Sequence, residues 1–210
     1  GREDVSMHVH LCMLALHTGR PVKMVYDRNE SFLGHVHRHP AKIWFRHSAD
    51  ESGALVKVEA KVILDGGAYA STTSAVLANA CCFSVGPYRV PNALIEGWGV
   101  RTNNPPCGAM RGFGNVQTCF AAEAQMDKLA KALSLDPVEF RLLNALETGD
   151  ILITGQEITG TAPVKEVLTS LAQYPLPEPT EGDLLDLPGG TGRTTDKSHV
   201  KRGVGYAASI

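Results

Sequence analysis

Residues 54–67 read ALVKVEAKVILDGG. Over part of that run Val56, Val58, Ala60, Val62 and Leu64 alternate with polar residues, the period of a strand with one buried and one wetter face. Just upstream, residues 39–48 (HPAKIWFRHS) read as a second strand, and the intervening ADESG supplies turn residues. The two form an antiparallel hairpin. Further upstream, residues 4–18 (DVSMHVHLCMLALHT) place Val5, Val9, Cys12, Met13 and Leu16 at helical spacings, with Asp4 as a cap and Gly19, Arg20 and Pro21 as the stop. Residues 21–27 (PVKMVYD) read as a strand followed by a short polar turn.

Downstream of the hairpin, residues 71–85 (STTSAVLANACCFSV) are rich in small residues and read as a helix ended by Gly86-Pro87. Residues 93–103 (ALIEGWGVRTN) return to strand. A strong helical pattern runs from Val116 to Leu133, and Asp136-Pro137 caps and opens another helix to about Leu146. Residues 161–174 give one more short helix. This mixture of hairpins and helices predicts an α+β domain, with mixed or antiparallel sheets carrying packed helices, and not a doubly wound nucleotide-binding sheet. Residues 1–172 read as one partial domain, 173–199 as a loop or disordered linker, and 200–210 as the start of a further strand. Both ends fall inside apparent elements, which reads as a piece of a longer polypeptide.

The composition is that of an ordinary globular chain: 210 residues, 43% hydrophobic and 20% charged, with net charge −2. That balance gives no support for nucleic-acid or anionic-membrane binding, and no apolar run approaches the roughly 20 residues needed to span a bilayer. The five cysteines (Cys12, Cys81, Cys82, Cys107 and Cys119) are odd in number and lack CxxC spacing. They argue against a disulfide framework or a zinc or iron–sulfur site in this chain and fit a reducing cytoplasm.

Candidate chemistry gathers in residues 109–114 (AMRGFG), ahead of the helix that starts near Val116. Helix-start amides carry partial positive charge, glycines let a ligand approach the backbone, and Arg111 adds a cation suited to oxyanions. Phe113, between Gly112 and Gly114, either presents its face to a flat ligand or plugs the core. His35, His37 and His39 alternate and would share one face of a strand. No cysteine or carboxylate is paired with them, so they read as loop and strand-edge residues. Glu3 sits where a helix dipole stabilises an anion, which a capping role explains fully. Asp65-Gly66-Gly67 reads as a bend without chemistry of its own.

Several of these stretches, in this order, resemble one family: GREDVS (1–6), TGRPVKMVYDRNE (18–30), HRHPAK (37–42), LDGGAYAS (64–71), GPYRVPN (86–92), RTNNPPCGAMRGFGNVQ (101–117) and AEAQMDKLAKAL (122–133). Together they are similar to the molybdenum hydroxylases, the xanthine dehydrogenase and aldehyde oxidase family, over roughly residues 1–170. The resemblance implies a molybdenum–molybdopterin cofactor, with iron–sulfur clusters and FAD on other domains or subunits. It implies that Gly1 is the last glycine of a segment contacting the metal centre and pterin. Arg111 then lies with its backbone beside the molybdenum, Gly112 belongs to the same cofactor-binding loop, and Phe113 stacks on the substrate ring. Glu3 becomes the catalytic acidic residue that faces a purine ring.

One position departs from the family pattern. Counting back from GPYRVPN, the arginine that holds the purine in xanthine oxidisers corresponds to Asn79. Asparagine donates and accepts hydrogen bonds but brings no charge for an anionic purine intermediate. Glu3 and Asn79 together imply a hydroxylase of a purine-like nitrogen heterocycle, with water as the oxygen source and electrons leaving through iron–sulfur clusters to flavin. An aldehyde oxidoreductase of the same family and a non-catalytic assembly domain are the alternatives. The family's base glutamate is absent from this stretch, so the isolated chain is expected to be inactive and to hold the cofactor weakly.

Overall fold

A computed structural model describes residues 5–175 and 204–209. The chain runs α1 (Ser6–Thr18), α2 (Arg28–Gly34), β1 (Ala41–Ala49), β2 (Leu55–Asp65), α3 (Thr73–Cys82), β3 (Ala93–Val100), α4 (Asn115–Ala132), α5 (Pro137–Asn144) and α6 (Val164–Ala172). The architecture is α+β, with a mixed three-stranded sheet in the order β1-β2-β3. β1 and β2 form the antiparallel hairpin, in register from Ala41↔Leu64 with a shift at Ser48/Ala49. Their turn is fixed by Asp50, whose Oδ1 accepts hydrogen bonds from the Ser52 and Ala54 amides at 2.9 and 3.0 Å.

β3 lies parallel to β2, from Val58↔Ala93 to Asp65↔Val100. A parallel neighbour cannot be reached by a tight turn, and α3 is the crossover helix that makes the connection. It packs closely on β3, since a Cβ added at Gly97 would lie 2.6 Å from Cys81 Sγ. α4 covers β1 and α5 packs against α4. The core is built from Phe45, Val58 and Ala60 of the hairpin, Ala122, Met126 and Ala130 of α4, and Phe140 of α5. A second cluster joins Val62 and Leu64 to Val76 and Ala80 of α3, with Phe113 packed against it. Each large side chain buried there stabilises the fold by about 1.5–3 kcal/mol.

Several sequence expectations are corrected. Residues 21–27 are not a strand, because no strand among the described residues offers them a ladder. The polar stretch after them is α2. Asp27 accepts from the Glu30 amide while the Glu30 carboxylate accepts from the Asp27 amide, a reciprocal capping box. The helix read over 71–85 closes at Cys82, and the strand read over 93–103 at Val100. Residues 204–209 form no strand. Instead Ala208 packs on the core, and Ser209 Oγ accepts from Asn115 Nδ2 at 3.1 Å. No residue of α1 is buried. Asp4, residues 176–199 of the expected linker and residues 200–203 of the expected strand lie outside the described residues.

His47 on β1 is buried at 7% exposure, and neither ring nitrogen has a hydrogen-bond partner among the described residues. Its ring stacks on Phe45 at 5.7 Å between centroids. Burial pushes its pKa down from 6.5 to about 4. Between those values the unfolded chain binds the proton and the folded chain does not, so stability falls as pH drops from 6.5 towards 4. The slope is about 1.4 kcal/mol per pH unit, about 3 kcal/mol in all. Denaturant titrations of wild type and His47→Phe at pH 7 and 4.5 check this, since the variant should lack this part of the pH dependence.

Candidate cofactor and substrate site

The connection between β3 and α4, residues 101–114, contains no helix or strand, yet distant residues fix it along its length. Asp65 at the end of β2 accepts from Thr102 Oγ1 at 2.6 Å, the Gly67 amide at 2.8 Å and Asn104 Nδ2. These bonds, Thr102's first, hold the Asp65 carboxyl below the usual carboxylate range against a partial desolvation. Residues 37 and 107 pair as a parallel bridge, with the His37 amide donating to Pro106 O and the Gly108 amide to His37 O. Arg38 Nη2 donates to Arg111 O at 2.6 Å. His39 is buried, with Nε2 2.9 Å from Thr73 Oγ1, and its carbonyl accepts from Gln117 Nε2 at 3.1 Å.

The loop ends in three successive residues with positive φ: Gly112 (+87°), Phe113 (+45°) and Gly114 (+98°). A Cβ on Gly114 would lie 2.3 Å from the carbonyl oxygen of Val76 in α3, so this bend is in backbone contact with α3. A non-glycine residue with positive φ costs of order 1 kcal/mol and persists only where its surroundings enforce it. Here Asn79 of α3 donates through Nδ2 to Phe113 O at 2.9 Å.

Asn79 and Phe113 therefore meet, and both line one cavity of about 500 Å3. Its other walls are Ala75 and Ala78 of α3, Val85, Tyr88, and the turn from Leu152 to Gln156. Phe113 is half-buried: part of it packs on the Val76–Ala80 cluster and part faces the cavity. The two roles weighed for it are combined in one side chain. Asn79 spends its amide nitrogen on the loop, and Oδ1 has no partner among the described residues. Arg111 is exposed, without a carboxylate partner among the described residues. Gly112 is exposed as well, and its amide donates to no described group. Glu3 and Gly1 lie outside the described residues.

Behind the cavity stands a polar network that sequence reasoning missed. Tyr88 Oη donates to Glu123 Oε1 at 2.7 Å, and Arg141 Nε to Glu123 Oε2 at 2.9 Å. Arg141 also reaches Asp127 Oδ1 at 2.8 Å and Pro137 O at 3.0 Å. Burial, then the adjacent Glu123 charge, pushes the Tyr88 phenol far above its ordinary value, so it stays a hydrogen-bond donor. The sequence signal was a glutamate, Glu123, on the apolar side of α4, which demands a buried partner.

The profile of the molybdopterin cofactor-binding domain matches residues 1–145, more than half of the chain. The chain belongs to that family. It is 42% identical over 168 residues to the nicotinate dehydrogenase large molybdopterin subunit of Eubacterium barkeri, covering 80% of this chain and 40% of that one. It is 37% identical over 192 residues to a probable xanthine dehydrogenase subunit of Bacillus subtilis (strain 168), covering 91% of this chain and 26% of that protein. Its fold superposes on the aldehyde oxidoreductase from Desulfovibrio gigas with a TM-score of 0.70 at 31% identity, over 76% of this chain and 17% of the other. The chain thus spans well under half the length of these relatives.

The residues present fit a molybdopterin group. Arg111 supplies an exposed cation without a protein counter-charge among the described residues, and Gly112 an exposed amide that donates to no described group. Among the described residues no cluster of three metal-ligating side chains forms, and no helix is long and apolar enough to cross a membrane.

Proposed function

We propose that this chain contributes cofactor and substrate contacts to a molybdenum hydroxylase that oxidises a nitrogen heterocycle of purine or pyridine type. The observation that carries this reading is the meeting of Asn79 and Phe113 on one cavity wall, at the end of a loop whose Gly112 and Gly114 amides have no acceptor among the described residues. When bound, the molybdenum–molybdopterin group supplies the two-electron chemistry by which an oxygen from water enters a ring C–H bond. The Arg111 backbone and the Gly112 amide hold that group. The exposed part of Phe113 packs on the flat ring, and Asn79 Oδ1 accepts from a ring N–H. Val85, Leu152 and Ile153 give the cavity an apolar lining that limits water. Glu3 handles a proton at a ring nitrogen. Electrons leave through iron–sulfur clusters and FAD carried on other domains or subunits.

Asn79 gives the wall a neutral amide in place of a guanidinium, so a substrate whose intermediate carries no net anionic charge is favoured over xanthine itself. The names of the nicotinate and xanthine relatives, both nitrogen heterocycles, support this class. A second reading, an aldehyde oxidoreductase, draws on the likeness to the Desulfovibrio gigas enzyme. The complete enzyme, incubated in 18O-labelled water with purines, pyridine carboxylates and aldehydes, separates the two by product mass. Labelled hydroxy-heterocycles support the proposal. Labelled carboxylates alone, with full activity retained in Glu3→Ala, move the assignment to aldehydes.

A further inference from the structure

The histidine-rich segment His35–His39 left its arginine without a role. Arg38 Nη2 makes a charge-assisted bond to Arg111 O, 73 positions away. The backbone on either side of Arg38 is also committed: His37 pairs with the loop at 106–108, and His39 O accepts from Gln117. Segment 37–39 thus grips the loop before and after the bend at 112–114.

The peptide unit is planar and trans, so its C=O and N–H point in opposite directions. With Arg111 C=O turned towards Arg38, the N–H of Gly112 points away from Arg38. Likewise Asn79 draws Phe113 C=O towards α3, and the N–H of Gly114 points the other way. The remaining amides of the bend are used locally, Phe113 N–H on Met110 O at 2.7 Å and Asn115 N–H on Gly112 O at 2.9 Å. Those of Gly112 and Gly114 have no acceptor among the described residues. Carbonyls are thereby held by side chains on the protein side and amides are left over as donors.

We infer that Arg38 is a positioning residue: by holding the Arg111 carbonyl it orients the Gly112 amide towards the bound cofactor. It acts through the Arg111 carbonyl, with Nη2 committed to that bond and Nη1 buried. The cofactor half of this statement rests on the function proposed above; the clamp itself does not.

The test uses the complete enzyme with Arg38→Met, which keeps bulk but loses the donors, and Arg38→Lys, which keeps one donor. Hydrogen exchange of the peptide covering 108–115, in cofactor-free protein, reads the clamp. Exchange about tenfold faster in Arg38→Met and restored in Arg38→Lys is expected. Unchanged exchange overturns the inference. Faster exchange spread over the whole chain also overturns it, because it means general loosening. In cofactor-loaded enzyme the Mo(V) electron paramagnetic resonance signal should shift in Arg38→Met and return in Arg38→Lys. A signal identical to wild type overturns the orienting role. Wild-type enzyme without molybdenum would overturn the proposed function while the exchange data still decide the clamp.

Discussion

Arg141→Ala is expected to destabilise the chain by about 3–5 kcal/mol, a fall in Tm of roughly 10 °C. Its side chain is fully buried, and Nη2 lies 2.7 Å from Glu123 Oε2. Removing it leaves the Glu123 carboxylate, only 8% exposed, without its cation. Tyr88 alone cannot offset that desolvation, since a neutral phenol supplies one hydrogen bond. The cost comes from the orphaned charge and not from the lost attraction, which separates this account from simple cavity formation. Arg141→Met with Glu123→Leu should therefore be more stable than Arg141→Met alone, measured by denaturant titration. Additive losses in the double variant would contradict this.

Gly114→Ala should be equally severe, at about 3 kcal/mol or more, for a different reason. φ is +98° there, and the added Cβ meets the Val76 carbonyl oxygen at 2.3 Å and Ala80 Cβ at 3.0 Å. The first obstacle is backbone, so trimming Ala80 to Gly should not rescue it. At Gly112 the obstacle is Val116 Cγ2 at 2.2 Å, a side chain, so Val116→Ala should partly rescue Gly112→Ala. Thermal melts of the two double variants test the contrast. Gly114→Ala should also separate α3 from the loop, break the Asn79–Phe113 bond and lower molybdenum retention in the complete enzyme.

The hairpin and α4 were legible because burial imprints its period on their residues: Val58, Ala60, Val62 and Leu64 in one, Ala122, Met126 and Ala130 in the other. α2 was missed because seven residues are too few to show a helical period. Its legible signal was chemical, Asp27 three positions before Glu30. The parallel placement of β3 depends on the crossover through α3 and has no local signature. For the site, glycine spacing marked the bend at 112–114 but left open whether Phe113 faces the core or a ligand. Only the family resemblance pointed to Asn79, and it did not disclose the bond to Phe113 O. The roles of Arg38 and Arg141 rest on contacts 73 and 18 residues distant, which propensity and periodicity do not encode.

The most direct test of the account is kcat/KM of Asn79→Ala in the complete enzyme, with the heterocycle it oxidises fastest. Loss of the amide removes both the anchor of Phe113 and the acceptor facing the cavity. A fall of at least about tenfold, equivalent to about 1.4 kcal/mol, with molybdenum content unchanged is predicted. A value within twofold of wild type would show that this cavity wall does not face the substrate.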